Sequence, residues 1–305
     1  MILNIGGRTD IVNYYSEWFI NRIKEGFCYV RNPMYPQIVY KYDLSPSKID
    51  FLLMCSKNYR PIIKYIDLLN SKYRLMCHYT ITGYGRDVEP NVPTINESVS
   101  TLIELSKKIG KEKVIWRYDP ILLTKRYTKE YIIKAFDYIA SKVCNYINRV
   151  VFSFVQIYKK LETNFPEIVP FTDNDKDEIL RGISQIAKKY GLRIQTCGME
   201  EDYLEKYGIE KSGCTTKELI KDIYNIEYKL KKEGKLRHGC HCLETRDIGA
   251  YDSCPNGCKY CYANQNYKVA CYMYKYNHNI NSPMLIGNLK KDDIIKEANQ
   301  KSFID

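Results

Sequence analysis

Short apolar runs alternate along the chain with stretches whose apolar residues recur at helical spacing. Six runs read as strands: Met1 to Ile5, Ile49 to Cys55, Leu75 to Thr82, Lys113 to Tyr118, Arg149 to Val155 and Leu192 to Thr196. Helices are predicted over Asp10–Glu25, Arg60–Asn70, Ile95–Ile109, Lys129–Cys144 and Asp175–Tyr190. Near-continuous apolar strands separated by helices imply a parallel sheet buried on both faces. Between the first helix and the second strand, Asn32-Pro33 and Pro36 mark an inserted hairpin. Thr215 to Gly234 reads as a Lys-rich surface helix. From Gly239 to Asn266 the periodicity fades into Gly, Cys, Asn, Pro and Tyr, and the polar tail from Asn277 to Asp305 reads as peripheral. A segment so poor in apolar residues can draw its organising energy from a metal.

The predicted class is therefore α/β, a partial (β/α)6 TIM-like barrel with an inserted hairpin and a C-terminal cysteine-rich metal-binding segment. Residues 1–200 would form the barrel and residues 201–305 the segment folding over its mouth. No apolar run approaches the roughly 18 residues of a membrane helix. The N-terminal sequence lacks the pattern of a secretory signal. A cytoplasmic protein without a membrane partner is expected. The formal charge of +11 permits an anionic partner such as nucleic acid or a phosphorylated metabolite, although abundant Lys, Ile, Asn and Tyr also fit an AT-rich genome.

The cysteines add the chemistry. The chain has 12, too few for a disulfide scaffold, and reduced thiols are expected. Cys28, Cys55, Cys77 and Cys144 are scattered, as buried small hydrophobes usually are; Cys271 also reads as an ordinary thiol. Cys254, Cys258 and Cys261 follow the spacing C-x3-C-x2-C. Three thiolates so close on a loop can hold three irons of a 4Fe–4S cluster and leave the fourth iron open. Zinc is the alternative, because Cys258 and Cys261 form a C-x2-C pair with Cys240, His241 and Cys242 nearby. Cys197, Cys214, Cys240 and Cys242 are enough for a second metal site, either a cluster or zinc.

With Tyr260 just before its last cysteine, the triad resembles the radical S-adenosylmethionine superfamily. The whole chain also resembles the domain-of-unknown-function family 1848, through GRTDIVNYYSEWFINRI, VRNP, SKN, TITGYGRDVEPNVP, VIWRYDPILL, TCGMEEDYLEKYGI and CLETRDIGAYDSCPNGCKYCYAN. Ser56-Lys57, Glu89-Pro90 and Asp119-Pro120 are similar to steps in the spore photoproduct lyase-like branch, with departures at Ser56 and at Gly7. The resemblance implies a 4Fe–4S cluster, S-adenosylmethionine on its open iron, and a reducing donor such as flavodoxin or ferredoxin. A 5′-deoxyadenosyl radical would then abstract hydrogen from the substrate. Superfamily members usually carry the triad after the first strand. Here it follows all six, so Asp247 to Ser253 is the expected arm bringing it to the barrel mouth.

Polar residues at strand ends line such a mouth. Arg8, Thr9 and Asp10 follow the first strand, and Asp10 equally suits a helix N-cap. By the resemblance, Ser56 and Asn58 would meet the amino group of S-adenosylmethionine. Thr80, Thr82, Arg117, Asp119 and Ser153 complete the candidate cofactor contacts. Arg117 suits a carboxylate, or else an ion pair with Asp119. Cys197, Arg117 and Lys57 are the candidate catalytic residues. Glu200 and Glu201 follow the sixth strand as loop charges. His78, His238, His241 and His278 form no paired pattern, and hydrolase and P-loop motifs are missing. A zinc-stabilised nucleic-acid-binding protein without catalysis and a cluster-bearing electron carrier are the competing functions. The expected substrate is a nucleic acid or a small molecule.

Overall fold

The computed structural model describes every residue except 200–201, 211–212, 232–233, 235–238 and 305. Glu200, Glu201 and His238 thus lie outside the described residues. The strands are β1 (Ile2–Asn4), β2 (Phe27–Arg31), β3 (Ile38–Asp43), β4 (Phe51–Ser56), β5 (Leu75–Thr80), β6 (Val114–Ile121), β7 (Arg149–Phe154), β8 (Arg193–Thr196), β9 (Thr245–Asp247) and β10 (Ile294–Glu297). Seven of them form one sheet in the order β8-β7-β6-β5-β4-β1-β9. The pairs β1/β4, β1/β9, β6/β7 and β7/β8 are parallel. All six predicted strands are present, and their neighbours in the sheet follow chain order, as short βα connections favour. Every residue of β7 is buried, which is why its sequence reads as unbroken apolar character.

The helices are α1 (Ile11–Tyr14), α2 (Ser16–Glu25), α3 (Ile66–Lys72), α4 (Ile95–Ile109), α5 (Lys129–Val143), α6 (Lys159–Asn164), α7 (Asp173–Lys189), α8 (Lys217–Tyr224) and α9 (Tyr267–Tyr276). Side-chain caps fix several starts. Thr94 and Glu97 form a capping box on α4, Thr172 and Asp175 another on α7. The Lys-rich helix is shorter than its composition suggests. It stops at Tyr224, where Asn225 adopts φ 55° and closes the end in the left-handed region.

The chain forms two compact units. The first comprises Met1–Cys77, Thr245–Gly257 and Cys261–Asp305; the second comprises His78–Glu244 and Cys258–Tyr260. In the first unit the predicted hairpin is present as antiparallel β2 and β3. The tail is not peripheral. β10 pairs in parallel with β3, and Asp50 accepts hydrogen bonds from Ser302 Oγ at 2.6 Å and the Phe303 N–H at 3.0 Å. β9 adds to β1 with Leu3 opposite Arg246.

Candidate metal centre

Cys197 comes directly after β8, and its N–H donates to the Phe152 carbonyl at 2.9 Å. That bond continues the β7/β8 ladder and fixes the thiol at the strand end. Cys214 and Cys242 are brought together by a backbone clasp in which the Leu243 N–H donates to the Thr215 carbonyl at 2.9 Å. Gly213 lets the two segments approach closely, since a Cβ there would meet the Cys242 nitrogen at 2.6 Å and its sulfur at 2.9 Å. The outcome is a cluster in which the sulfurs of Cys197, Cys214 and Cys242 all lie within 4.8 Å of one another. The Cys214 and Cys242 sulfurs are 3.4 Å apart, and the Cys214 N–H points at the Cys242 sulfur at 3.2 Å. This trio can hold a metal ion.

The surroundings are polar on one side. Cys240 is buried and hydrogen-bonds to Cys242. Hydrogen bonds with Cys197 and Cys242, aided by the Arg117 charge, hold the Cys214 thiol well below its usual pKa despite burial. Cys242 is pushed the opposite way, chiefly by its hydrogen bond with Cys197. Arg117 on β6 also pairs with Asp119, so the ion pair expected as the alternative is the one present. Ser153 on β7 donates to Asp119 in turn. His78 on β5 is completely buried, and burial first, then the Arg117 charge, lowers its pKa to about 3. It is therefore a neutral imidazole.

The other cysteine motif is divided between the units. In the second unit Cys258 is half-buried and opens the short piece that continues to Tyr260. The Lys259 N–H donates to the Val88 carbonyl at 3.0 Å, and Tyr158 OH donates to the Tyr260 carbonyl at 2.8 Å. Tyr260 OH donates to the buried carboxylate of Glu89, which also accepts Thr82 Oγ1 at 2.9 Å on both oxygens. Thr82 lies just beyond the C-terminal end of β5, with Thr80 as its last residue. Burial raises the Tyr260 phenol pKa well above normal, and the adjacent Glu89 charge adds to this, so the proton stays on Tyr260.

Within the first unit, the segment carrying Cys254 is tied to the residues that follow β1. Asn256 Nδ2 donates to Asp10 Oδ2 at 3.0 Å, and Asn13 Nδ2 donates to Asn256 Oδ1 at 3.2 Å. Asp10 does cap α1, accepting the Asn13 N–H at 3.0 Å. It also accepts the Lys57 N–H at 3.2 Å, just past β4. Burial raises its pKa against these hydrogen bonds. Asn58 donates through its N–H to Ser56 Oγ at 2.9 Å and through Nδ2 to Asn13 Oδ1 at 2.9 Å. Asp247 accepts the Gly7 N–H at 2.8 Å, and Tyr262 OH donates to the Gly7 carbonyl. Cys254 is buried and its carbonyl accepts Asn264 Nδ2 at 2.6 Å; burial above all, with the charges of Asp10 and Cys261, pushes its thiol up to about 12.

Of the residues expected at a site, Cys197, Cys214 and Cys242 meet, with Cys240 and Arg117 beside them. Arg117, Asp119 and Ser153 form one polar chain, and Ser56 and Asn58 another. Asn256 and Tyr260 are anchors that spacing alone did not single out as site residues. Their position inside CPNGCKYC is the available signal, together with the Glu89-Pro90 step.

These observations define an α/β protein with helices flanking a parallel-paired sheet and a thiol trio able to bind metal. The chain belongs to the family described as Domain of unknown function (DUF1848), whose family model matches residues 2–263. No curated protein and no solved structure matches it. Among the described residues, no helix is long and apolar enough to cross a membrane.

Proposed function

We propose that this protein is a radical S-adenosylmethionine enzyme built on a partial (β/α)6 barrel. In this reading residues 1–200 supply the barrel, residues 201–305 supply the cysteine-rich segment, and Cys254, Cys258 and Cys261 hold a 4Fe–4S cluster. The carrying observation is how the triad's segment is anchored. Asn256 bonds to Asp10 after β1, and Tyr260 bonds to Glu89 after β5. Catalytic groups of barrel enzymes gather at such strand ends. The chain order of the six strands supports the barrel.

The donor set suits the group. The three thiols lie within one short loop, and carboxamide and phenol side chains hold that loop. The chemistry supplied by a bound, reduced cluster is transfer of one electron to the sulfonium of S-adenosylmethionine, which breaks its C–S bond to give methionine and a 5′-deoxyadenosyl radical. Asn256, Asn264 and Tyr260 fix the loop, and buried Cys254 is shielded from water. Ser56 and Asn58 are candidate contacts for the cofactor's amino group, with Thr80, Thr82, Arg117, Asp119 and Ser153 as further polar contacts. Lys57, Arg117 and Cys197 are the candidate catalytic groups. Arg117 is engaged by Asp119, so it serves the cofactor carboxylate only by sharing its guanidinium fork.

A low-potential carrier such as flavodoxin or ferredoxin would supply the electron in the cytoplasm, and the substrate is a nucleic acid or a small molecule. The formal charge of +11 favours an anionic one. The competing function, a zinc-stabilised nucleic-acid-binding protein without catalysis, draws on the same charge and on the thiol trio. Anaerobic reconstitution with iron and sulfide, reduction, and assay of S-adenosylmethionine decide between them. Formation of 5′-deoxyadenosine that disappears in Cys258→Ala is expected. A fully loaded, reduced protein that leaves S-adenosylmethionine intact overturns the proposal.

A further inference from the structure

Cys197, Cys214 and Cys242 come from three separate parts of the chain, yet their sulfurs converge within 4.8 Å. A trio of thiols with two members buried and Cys214 half-buried has few uses. A disulfide would join two sulfurs at about 2.05 Å and leave the third idle. Cys214 and Cys242 stand at 3.4 Å, with Cys197 close to both. Tetrahedral zinc holds thiolates at about 2.3 Å, which places neighbouring sulfurs about 3.8 Å apart. The 3.4 Å pair and the 4.8 Å limit on all three are compatible with one shared ion. A cubane cluster bonds each thiolate to a different iron, so its ligands stand further apart than one shared ion requires.

Further features favour a single cation. The Cys214 N–H donates to the Cys242 sulfur at 3.2 Å, a contact that stabilises negative charge on sulfur. Gly213 presses against Cys242 so closely that a Cβ would collide with its backbone, so the clasp is shaped around the thiols. Cys240 is buried beside Cys242, outside the trio whose sulfurs lie within 4.8 Å of one another, and is the fourth thiol that ligation would draw in. Arg117 hydrogen-bonds to Cys214 and supplies positive charge where several thiolates outnumber the charge of a dication.

We propose that Cys197, Cys214 and Cys242 bind one zinc ion, with Cys240 as the fourth ligand, in a site separate from the Cys254, Cys258 and Cys261 triad. Ligation releases the thiol protons to solvent, and the oxidation states of metal and sulfur do not change. Soft thiolate ligands in a tetrahedral arrangement select zinc over magnesium, calcium or manganese. The ion staples the end of β8 to the 213–215 and 240–243 segments. It does this work whether or not the triad carries a cluster.

The test uses the full chain with Cys254, Cys258 and Cys261 all replaced by Ala, purified with zinc present. Elemental analysis should find about one zinc per chain, and X-ray absorption should show a sulfur shell at about 2.3 Å. Cys214→Ser in the same background should lower zinc occupancy at least tenfold. Cys240→Ser should weaken retention against a chelator less than Cys214→Ser does. Cobalt added to the metal-free triple variant should give thiolate charge-transfer absorption, which tests the site without any further mutation. A triple variant that holds no zinc and yields no cobalt–thiolate band overturns the proposal. So does one that holds iron and sulfide in place of zinc, or one whose zinc survives Cys214→Ser unchanged.

Discussion

Cys254, Cys258 and Cys261 share one short loop, whereas Cys197, Cys214 and Cys242 are gathered from a strand end and two distant segments. The loop's sulfurs depend on side-chain anchors, Asn256 on Asp10 and Tyr260 on Glu89. The trio's sulfurs depend on backbone bonds, Cys197 to Phe152 and Leu243 to Thr215. The first group is close in sequence whatever the fold. The second exists only once the parallel sheet has been completed as far as β8. In the proposed reading the first would hold the reacting cluster and the second a structural ion.

The sharpest separation comes from removing one group at a time. Cys258→Ala should abolish cluster binding and 5′-deoxyadenosine formation while leaving zinc at its wild-type level, as iron, sulfide and zinc analysis will show. Loss of both metals together would mean that the two groups are not independent. Stripping zinc should destabilise the fold while the triad stays intact. With free zinc at about 1,000 times Kd, linkage predicts a loss of about 4 kcal/mol, measured by denaturant unfolding with and without zinc. An unchanged unfolding midpoint would break the structural half of the comparison.

The anchors should matter less. Tyr260→Phe removes one donor to buried Glu89 while Thr82 still donates, and should cost about 1–3 kcal/mol. Asn256→Ala takes a donor from buried Asp10 and should cost a similar amount. Both variants should keep their zinc and load the cluster less completely. Full cluster loading in both would show that the anchors do not position the loop.

His78 offers a pH-dependent test on the trio's side. Its folded-state pKa is lowered to about 3, below the unfolded value of about 6.5. Below pH 6.5 the unfolded chain therefore takes up a proton that the folded chain refuses, and stability falls as pH drops towards 3. In the zinc-free protein, a His78→Met variant should show a shallower loss over that window. Equal slopes would mean that His78 is not held neutral by the fold.

The two groups also differ in how readable they are. The triad is visible in the spacing of CPNGCKYC. The trio's members could be named from the sequence as part of a possible second metal site, but their meeting could not be read there, because they sit far apart in sequence and converge through backbone pairing at β8. The same physics separates the strands. β4 and β7 are buried on both faces and announce themselves as apolar runs, and the cap residues of α4 and α7 announce the helix starts. β9 is a Thr-Arg-Asp tripeptide and β10 is exposed along its length, so both pair through backbone bonds that leave no apolar signature. Asp10 was readable as a cap, but its hold on Asn256 depends on a contact across most of the chain.

Counting iron, sulfide and zinc per chain in anaerobically purified wild-type protein tests the two-site account most directly. About four irons with matching sulfide, together with about one zinc, is the predicted result. About eight irons without zinc, or one zinc with no iron after reconstitution, would contradict it.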